Sequence, residues 1–449
     1  MPVSLVILAA GKGTRMKSDL PKVLHPIAHA PMLAHAMEAA SHLRPDRTVV
    51  VAGHGFDQVK AAALAIDDTA QVVEQAEQNG TAHAVDMARE VLSTFDGDVV
   101  VLYGDTPFIQ PETLDRMVAA RKKDDLVILG FEPADPGRYG RLVMDGDALL
   151  QIVEFKDATD AERAITFCNS GLLACDARKL FDLLSCVDNN NAQGEYYLTD
   201  IVEIARNKGL SVTAIACDES ETLGINSRTD LATADAVFQH RARADLLENG
   251  VTLMAADTVY LAYDTIIGRD TIIEPNVVFG PGVSVETGAT IRAFSHLEGC
   301  HVSRGAVVGP YARLRPGAEL AEDVRIGNFV EIKNTTIDQG AKINHLTYIG
   351  DASIGARTNV GAGTVTCNYD GFLKHRTEIG ADVFIGSDTM LVAPVNLGDG
   401  AMTATGTIVT DSLEADAMAI GRVKQINRPG AAKKLRNILR AKKARRNKD

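Results

Sequence analysis

The stretch that decides the fold runs from Ile267 to Leu297 and reads IGRDTIIEPNVVFGPGVSVETGATIRAFSHL. Its large apolar residues recur every six positions, and the same spacing returns in shorter runs as far as Val409. A period of six fits neither the stripe of an amphipathic helix nor the two-residue alternation of a strand. The anchors of the repeat are Ile267, Ile273, Phe279, Val285, Ile291, Leu297, Val308, Leu314, Leu320, Ile326, Ile332, Ile343, Ile349, Ile354, Val360, Ile379, Ile385, Leu391 and Leu397.

Six is the period of hexapeptide β-helices, in which each hexad forms one flat side of a coil and its anchor points inward. Three hexads complete a triangular coil of about 18 residues, and coils stack about 4.8 Å apart. Roughly eight coils then predict a parallel β-helix about 40 Å long. A β-sandwich of short strands is the alternative, but the phase persists for five or six hexads at a time, which disfavours it.

The composition is that of a water-soluble globular protein. Of 449 residues, 46% are apolar and 23% are charged, and a chain of this length predicts two or three domains. No apolar run approaches the roughly 20 residues of a membrane helix, and Met1–Gly11 lacks the basic start and cleavage motif of a signal peptide. The six cysteines show neither a CxxC pair nor zinc spacing. We therefore expect reduced thiols in a cytoplasmic protein without membrane insertion.

Charge is spread unevenly along the chain. Residues 422–449 hold twelve Lys or Arg and one acidic residue, which leaves 34 of the 46 basic and 58 of the 59 acidic residues for the rest. A basic tail on an acidic body predicts an anionic ligand, or docking of the tail on the body itself. The tail lacks interleaved aromatic residues for base stacking, so we expect no nucleic-acid partner.

The first 226 residues alternate between predicted strands and helices. Val3–Ala9 is an apolar run typical of a buried parallel strand. This alternation predicts a Rossmann-like, doubly wound α/β sheet, in which ligands bind beyond the carboxyl ends of the strands. Further strands are predicted over Thr48–Ala52, Asp98–Tyr103 and Leu126–Leu129, with helix faces marked by Leu33, Met37, Ala40 and Leu43 and by Val85, Ala88, Leu92 and Phe95.

Three segments fall at those carboxyl ends: Gly11–Met16, Gln75–Thr81 and Tyr103–Asp105. The first reads GKGTRM, in which two glycines and a threonine let backbone N–H groups close around an anion. It matches neither a GxGxxG nor a Walker A pattern. By itself it predicts a phosphate loop or an ordinary tight turn, and both interpretations stay open.

Longer motifs in this region resemble a known family. The run LAAGKGTRM from Leu8 to Met16, followed by PKVL from Pro21 to Leu24, is similar to the opening of sugar-1-phosphate nucleotidylyltransferases. Gln75–Thr81 and Tyr103–Pro107 match further motifs of that family. With the hexapeptide region behind them, nearly the whole chain resembles the bifunctional bacterial enzymes that combine glucosamine-1-phosphate N-acetyltransferase and N-acetylglucosamine-1-phosphate uridylyltransferase activity.

The resemblance implies two reactions that together make UDP-N-acetylglucosamine, a precursor of peptidoglycan and lipopolysaccharide. In the first, acetyl-CoA acetylates glucosamine-1-phosphate. In the second, the sugar phosphate attacks the α-phosphorus of UTP and pyrophosphate leaves. Both substrates of the second step are polyanions, so catalysis there is mostly positioning and charge neutralisation. The resemblance also implies a left-handed β-helix, a homotrimer and a Mg²⁺ ion.

For uridylyl transfer, the resemblance implies roles for residues at the carboxyl edge of the sheet. Arg15 and Lys22 hold the triphosphate and the developing charge, and Asp105 and Asn226 bind Mg²⁺. Without the resemblance, Asp105 would read as a helix N-cap and Glu154 as a solvated strand charge. The implied nucleotide- and sugar-binding set is Leu8, Ala9, Ala10, Gly11, Lys22, Gln75, Gly80, Thr81, Tyr103, Gly104, Asp105, Gly140, Glu154, Asn169 and Asn226.

A connecting helix is predicted after Ser227, which is typical of an N-cap, and it ends at Asn249-Gly250. The predicted organisation is a nucleotidylyltransferase domain over residues 1–226 and a linker helix over 227–250. A β-helix acetyltransferase domain follows over 251–421, and a basic tail over 422–449.

The repeat itself predicts a stacked pair of cations. Arg315 and Lys333 are 18 residues apart in an unbroken run, so they should lie one coil apart at about 5 Å. Two cations at that distance repel, and an anion such as a sugar phosphate relieves the repulsion. Two solvated surface charges are the alternative, and the family resemblance favours substrate binding.

His345 suits removal of a proton from the substrate amine as it attacks the thioester of acetyl-CoA, because a neutral imidazole is a base near neutral pH. It matches the catalytic base of the family, and Glu331 is expected to orient it. By resemblance, Tyr348 and Asn359 contact the sugar. Gly363–Gly371 breaks the six-residue phase and should leave the coils as a loop towards a neighbour. The implied acetyl-CoA set is Ala362, Asn368, Tyr369, Ser387, Thr405 and Arg422.

Two other functions fit parts of the sequence. One is a sugar-nucleotide pyrophosphorylase whose β-helix is non-catalytic and only regulates or oligomerises the enzyme. The intact set of Arg315, Lys333, His345 and Asn368-Tyr369 disfavours it. The other is a scaffold similar to the nucleotidyltransferase-like subunits of nucleotide-exchange factors, with the basic tail on nucleic acid. The Gly11 loop together with Asp105 disfavours that function.

Overall fold

A computed structural model describes residues 2–191 and 193–446, and the chain divides into two compact units. The N-terminal unit comprises Met1–Ala242 with Leu261–Tyr263, and the C-terminal unit comprises Arg243–Tyr260 with Asp264–Asp449. The division falls inside a long helix, Arg228–Glu248, close to the helix predicted after Ser227. Among the described residues, no helix combines the length and apolarity needed to cross a bilayer.

The N-terminal unit is built on a mixed sheet. Its strands are β1 Val3–Ala9, β2 Pro26–Ile27, β3 Ala30–Pro31, β4 Arg47–Ala52, β5 Gln71–Glu74, β6 Asp98–Tyr103, β7 Leu126–Phe131, β8 Arg141–Asp145, β9 Ala148–Val153, β10 Cys168–Asp176 and β11 Val212–Cys217. Within the described residues, nine of them form one sheet in the order β5-β4-β1-β6-β10-β7-β11-β9-β8, while β2 pairs with β3 separately.

The centre of this sheet confirms the predicted doubly wound architecture. All seven residues of β1 are buried, as expected of a strand covered on both faces, and β1 runs parallel to β4 and β6. The other half departs from an all-parallel sheet, because β10 is antiparallel to both β6 and β7. The edge strands β8 and β9 also pair antiparallel, β9 with β11 and β8 with β9. The helices are α1 Met32–Ser41, α2 Phe56–Ile66, α3 Thr81–Asp86, α4 Arg89–Leu92, α5 Pro111–Arg121, α6 Asp160–Arg163, α7 Ala177–Leu184, α8 Ile201–Asn207 and α9 Arg228–Glu248.

The C-terminal unit is a stack of coils made of short strands, and every anchor of the six-residue repeat is buried. The strands are β12 Thr252–Leu253, β13 Ile266–Ile267, β14 Ile272–Ile273, β15 Val278–Phe279, β16 Val283–Val285, β17 Thr290–Ile291, β18 His296–Leu297, β19 Cys300–Val302, β20 Val307–Val308, β21 Arg313–Leu314, β22 Ala318–Leu320, β23 Arg325–Ile337, β24 Lys342–Ile354, β25 Asn359–Val360, β26 Val365–Cys367, β27 Thr377–Ile379, β28 Phe384–Ile385, β29 Met390–Val392, β30 Val395–Leu397, β31 Met402–Thr403, β32 Ile408–Val409 and β33 Met418–Ala419.

The coils are not all 18 residues long. Each strand pairs in parallel with the strand three further along the chain, as β14 does with β17, so three sides make one coil. Ile273 lies opposite Ile291, 18 positions on, but Ile291 lies opposite Val308, only 17 positions on. The side after Leu297 is one residue short, and its corner is tight: Gly299 has a φ of +52°, and a Cβ there would lie 3.0 Å from Pro316.

The excursion predicted at Gly363–Gly371 begins later than expected. Val365 still pairs with Met390 inside the coils. Ile354 lies opposite Ile379, 25 positions on, so the extra chain is the segment between β26 and β27. Gly363 and the residues up to Cys367 are therefore part of a coil side, and only the second half of the predicted loop leaves it.

The basic tail carries a helix, α10 Ala431–Arg446, and every described residue from Gly421 onward is exposed. Its apolar residues Leu435, Ile438 and Leu439 are exposed as well. Residues 447–449 of the predicted tail lie outside the described residues.

The buried anchors set the stability of the coils. Replacing Ile273, which is fully buried, by Ala should lower the free energy of unfolding of this unit by about 2–5 kcal/mol, because a cavity remains inside the coil. Ile266→Ala, at a residue 68% exposed one strand earlier, should change it by no more than about 0.5 kcal/mol. Urea unfolding followed by circular dichroism compares the two, and equal transition midpoints would contradict the inward placement of the anchors.

Candidate active sites

A cavity of about 340 Å³ opens at the carboxyl ends of β1 and β6. Its walls include ten residues that the sequence analysis assigned to nucleotide binding: Leu8, Ala9, Ala10, Gly11, Lys22, Gln75, Gly80, Thr81, Tyr103 and Asp105. Gly104 lies beside them, where its N–H donates to the carbonyl of Leu8 at 2.9 Å. Arg15 is exposed on the following 3₁₀ turn and is not among the described residues that line the cavity.

Two contacts shape the glycine loop and the segment opposite it. The Gln78 amide donates to the carbonyl of Ala10 at 2.7 Å and so holds the loop after β1. Gly80 has a φ of +115°, and a Cβ there would lie 2.5 Å from the carbonyl oxygen of Tyr196. Only glycine fits this position without moving the backbone of the neighbouring segment.

Lys22 joins two predicted metal ligands. Its ammonium pairs with the Asp105 carboxylate and lies 3.1 Å from the Asn226 amide oxygen. Asn226 is fixed from behind, because its N–H donates to the Asp230 carboxylate at 3.0 Å. Ile225 N–H donates to the Asp105 carbonyl at 3.1 Å, which ties the two ligand segments together.

Carboxylate and amide oxygens that converge on one cation fit Mg²⁺, which takes one or two protein oxygens and completes its shell with phosphates and water. Asp105 and Asn226 provide such a pair. The described residues contain no group of three or more His, Cys, Asp or Glu that could hold a metal by themselves. The residues present therefore suit a metal that arrives with a phosphate ligand.

A second cavity, of about 230 Å³, adjoins the first and shares Thr81, Tyr103 and Glu195 with it. Glu154 and Asn169 line it as predicted. Gly140 lies behind them, since a Cβ there would lie 3.6 Å from both side chains. Glycine is required at position 171, where φ is +90° and a Cβ would lie 2.7 Å from the Tyr103 ring.

Burial raises the pKa of three groups in this second cavity, Glu154, Tyr103 and Tyr197. The pKa of Glu154 lies above its usual value, chiefly because the carboxyl is desolvated, although Thr199 donates to it at 3.5 Å. Burial also raises the pKa of Tyr103, and the charges of Asp105 and Glu154 add to the effect. Glu154 is thus an internal group of the site and not a solvated strand charge.

Sequence reasoning missed several residues of these cavities: Gln78, Gln193, Glu195, Tyr197 and Thr199. Four of the five belong to one connection that folds over the sheet between α7 and α8. Its backbone is held by three bonds to the segment around Gly80: from Leu198 N–H to the Thr81 hydroxyl at 3.0 Å, from Ala82 N–H to the Tyr196 carbonyl at 2.9 Å and from Tyr196 N–H to the Asn79 carbonyl at 2.8 Å. No repeat or spacing in the sequence links this connection to the loop after Gly80.

In the C-terminal unit, the predicted stacking of Arg315 and Lys333 is confirmed. Leu314 pairs with Ile332, and Arg315 N–H donates to the Ile332 carbonyl at 2.8 Å, so the two residues share one column. The expected repulsion between them was wrong, because each cation has a carboxylate. Arg315 pairs with Glu331 at 2.8 Å and Lys333 lies 3.7 Å from Asp351.

The partner of His345 also differs from the expectation. His345 Nδ1 lies 2.8 Å from the Asn328 amide oxygen on the preceding coil. Glu331, the predicted orienting residue, faces Arg315 at 2.8 Å and Arg313 at 3.9 Å, and among the described residues no carboxylate pairs with His345. The sequence-based prediction failed here because the ladder places Asn328 opposite His345 and Glu331 opposite Tyr348.

The predicted acetyl-CoA residues differ in burial: Asn368 is buried, Ala362 and Ser387 are partly buried, and the other three are exposed. Asn368 is buried and donates to Asp351 at 2.5 Å, which also accepts from Asn334 at 2.7 Å. Tyr348 lies near this cluster, because a Cβ on Gly350 would contact both Tyr348 and Asn368. Asp351 is a further residue that sequence reasoning missed, and its φ of +52° places it at a coil corner.

The remaining predicted residues lie along the later coils. Tyr369 is 56% exposed on the excursion after β26. Ser387 and Thr405 share a column as predicted, since Ile385 pairs with Thr403 two positions earlier. Arg422 donates to the Thr405 carbonyl at 2.7 Å. Asn359 pairs with Lys342 and Phe384 in the ladder, and Ala362 lies in the turn between β25 and β26.

Two family models and a set of curated relatives match the chain. Residues 5–166 match the MobA-like NTP transferase domain, and residues 264–299 match the bacterial transferase hexapeptide of six repeats. The bifunctional protein GlmU of Ruegeria pomeroyi is 75% identical over 449 residues, 100% of each chain. The GlmU proteins of a Ruegeria species and of Roseobacter denitrificans are 71% and 64% identical over 99% of each chain.

An acidic cavity next to the second cavity makes the N-terminal unit sensitive to pH. Asp200, which lines it with Asp188 and Glu154, has its pKa raised from 3.8 to about 6, first by burial and then by those two carboxylates. Because the folded-state pKa is the higher one, ionisation of Asp200 opposes folding. The loss of folding free energy caused by this ionisation is absent below about pH 4 and complete above about pH 6.

Asp200→Asn should therefore stabilise this unit by roughly 1–2 kcal/mol at pH 8 and leave it unchanged at pH 4. Urea unfolding at the two pH values measures the difference. Asp96→Asn, at a side chain 77% exposed, should have no effect at either pH. A gain from Asp200→Asn that persists at pH 4 would show that charge is not its cause.

Proposed function

The chain belongs to the family of the bifunctional GlmU proteins, and from that premise we propose that it makes UDP-N-acetylglucosamine in two steps. The C-terminal unit transfers acetyl from acetyl-CoA to glucosamine-1-phosphate. The N-terminal unit then transfers uridylyl from UTP to N-acetylglucosamine-1-phosphate and releases pyrophosphate. Acetyl transfer is assigned to the C-terminal unit because His345 lies beside two cation–carboxylate pairs and its Nδ1 is hydrogen-bonded to the preceding coil. Uridylyl transfer is assigned to the N-terminal unit because Asp105 and Asn226 form a cation pocket at the carboxyl edge of the sheet.

In the N-terminal unit, the loop after β1 is proposed to enclose the triphosphate of UTP with its backbone N–H groups. Lys22 and Arg15 neutralise the charge that develops as pyrophosphate leaves. Gln75, Gly80 and Thr81 meet the uracil edge. The second cavity holds the sugar, with Glu154, Asn169 and the backbone of Gly140 as its hydrogen-bonding groups.

Asp105 and Asn226 are the residues proposed to hold Mg²⁺. The ion supplies positive charge to phosphate oxygens when it is bound. With the ion there, Lys22, which bridges the same two oxygens in its absence, would be available to pair with a phosphate.

In the C-terminal unit, Arg315 and Lys333 are proposed to bind the phosphate of glucosamine-1-phosphate. The buried Nε of Arg315 has no hydrogen-bond partner among the described residues, which leaves one donor for an anion. Tyr348 and Asn359 contact the sugar. His345 takes the proton from the amine as it attacks the thioester.

Acetyl-CoA is proposed to lie along the later coils. Ala362, Asn368 and Tyr369 flank its reactive end, and the column of Ser387 and Thr405 supports the pantetheine arm. Arg422, at the start of the tail, meets a phosphate of the coenzyme. The proposed setting is the cytoplasm, where both nucleotide substrates are available. The six free cysteines agree with that setting.

We also propose a homotrimer formed through the coils. Phe294, Tyr311 and Phe329 stack along one corner with ring centroids 4.9 and 5.3 Å apart, and Leu346 continues the line. All four side chains are about half exposed or more, so a continuous apolar ladder faces solvent. It runs beside Asn328 and His345, where a neighbouring copy would close the acetyl-transfer site.

Two separate assays on purified protein test the two activities. His345→Ala should lower the rate of CoA thiol release by about 10²–10⁴-fold and leave pyrophosphate release unchanged, because it removes only the base. Asp105→Asn should lower pyrophosphate release by roughly 10²–10³-fold and leave thiol release unchanged, because charge stabilisation is lost in the other unit.

His296→Ala on the coils and Asp115→Asn on α5 are the matched controls, since both side chains are at least half exposed away from the sites. Both should retain the two activities of the parent. A parent that releases pyrophosphate but no thiol would make the coils a non-catalytic regulator and overturn the acetyl-transfer assignment.

Phe329→Asp should dissociate the trimer, because a charge in the apolar ladder is desolvated on assembly. Light scattering should give the mass of a monomer, where the parent gives three times 47.9 kDa. Acetyl transfer should fall with assembly, and uridylyl transfer should persist. Leu64→Asp, at an exposed residue of α2, is the control. A trimeric Phe329→Asp protein would rule out the ladder as the interface.

A further inference from the structure

We propose that Asn328 is the positioning residue of His345, holding its ring in the tautomer that leaves Nε2 free to accept the proton of the substrate amine. The inference rests on the proposed acetyl transfer. It adds a residue that acts through His345 and does not itself touch the substrate.

The ladder holds Asn328 against His345. Strands β23 and β24 are the longest in the coils, and they pair over most positions from Arg325 to Ile337, with Asn328 opposite His345. The two strands come closest one residue earlier, where a Cβ on Gly327 would clash with the backbone of Asn344. Asn328 is partly buried and His345 is exposed, so the amide is the fixed member of the pair and the imidazole is the one that needs orienting.

The contact selects one tautomer. The Asn328 amide oxygen lies 2.8 Å from Nδ1 of His345, and an oxygen there accepts a hydrogen bond only when Nδ1 carries the proton. Nε2 is then the unprotonated nitrogen. In the reaction, the amine nitrogen forms the bond to the acetyl carbon and gives its proton to Nε2. The sulfur of CoA leaves with the electron pair of the C–S bond and takes the proton back from the imidazolium.

An amide differs from a carboxylate in this role because it orients the ring without adding charge. The neighbouring coil positions are also neutral, with Pro310 beyond Asn328 and Ala362 beyond His345. The charged groups on the same strands are Arg325, Glu331, Lys333, Lys342 and Asp351, with Arg313 and Arg315 on the coil before. Glu331 is paired with Arg315 and Arg313. The imidazole is therefore oriented by a neutral partner.

The test compares Asn328→Ala with Asn328→Asp across a pH series of thiol release. Asn328→Ala should lower kcat by about 10–100-fold, the usual cost of losing a group that orients a functional histidine, with KM for acetyl-CoA unchanged. Asn328→Asp still accepts the Nδ1 proton and should recover most of kcat. The acid limb of the pH profile of kcat for Asn328→Asp should move to higher pH, because a carboxylate stabilises the imidazolium. Asn396→Ala, at an exposed residue of β30, should match the parent.

A second measurement does not depend on catalysis. Nitrogen NMR of labelled histidine should show the Nδ1–H tautomer of His345 in the parent and a shift towards Nε2–H in Asn328→Ala. Parent-like kcat in Asn328→Ala, or equal losses in both variants with an unmoved acid limb and tautomer, would overturn the proposal. A parent that releases no thiol would instead defeat the proposed acetyl transfer, and the NMR result would still decide whether Asn328 holds the ring.

Discussion

The spacing of a parallel β-ladder is the constraint on which the C-terminal unit depends. Adjacent strands lie about 4.8 Å apart, so every residue stands directly above its counterpart on the next coil. Buried anchors stack on anchors, as Ile273 does on Ile291, and functional groups stack in the same way. Arg315 and Lys333, Asn328 and His345, and Ser387 and Thr405 are neighbours for this single reason. A site in such a unit is therefore built from columns, that is, from residues at equivalent positions on successive coils.

Charge in these columns is balanced within the chain. A column that carries two cations also receives two carboxylates, Glu331 for Arg315 and Asp351 for Lys333, each from the coil that follows its cation. The pairs hold the long side chains in place before substrate arrives, which reduces the conformational entropy lost on binding. Asp351 does more than pair with Lys333, because it accepts from Asn334 and Asn368 and anchors the base of the excursion after β26.

The N-terminal unit brings its functional groups together in a different way. Its functional groups come from loops at one edge of a sheet. They are held together by close contacts between backbone segments, and not by stacking on successive coils. Gly80 and Gly171 admit the Tyr196 backbone and the Tyr103 ring, and Lys22 holds the oxygens of Asp105 and Asn226 together. Both units thus present a cation next to a carboxylate where an anionic sugar phosphate is proposed to bind.

The sequence by itself determined the coil anchors, the strands β1, β4, β6 and β7, the glycine loop and most residues of the first cavity, because each depends on local period or on a contiguous motif. Only the tertiary structure decided the antiparallel course of β10, the role of the connection carrying Glu195 and Tyr197, and Asn328 as the partner of His345. These depend on register. One coil side that is a residue shorter moves every later contact, and a strand inserted between β6 and β7 brings distant segments together. Neither change alters the local pattern that a sequence displays.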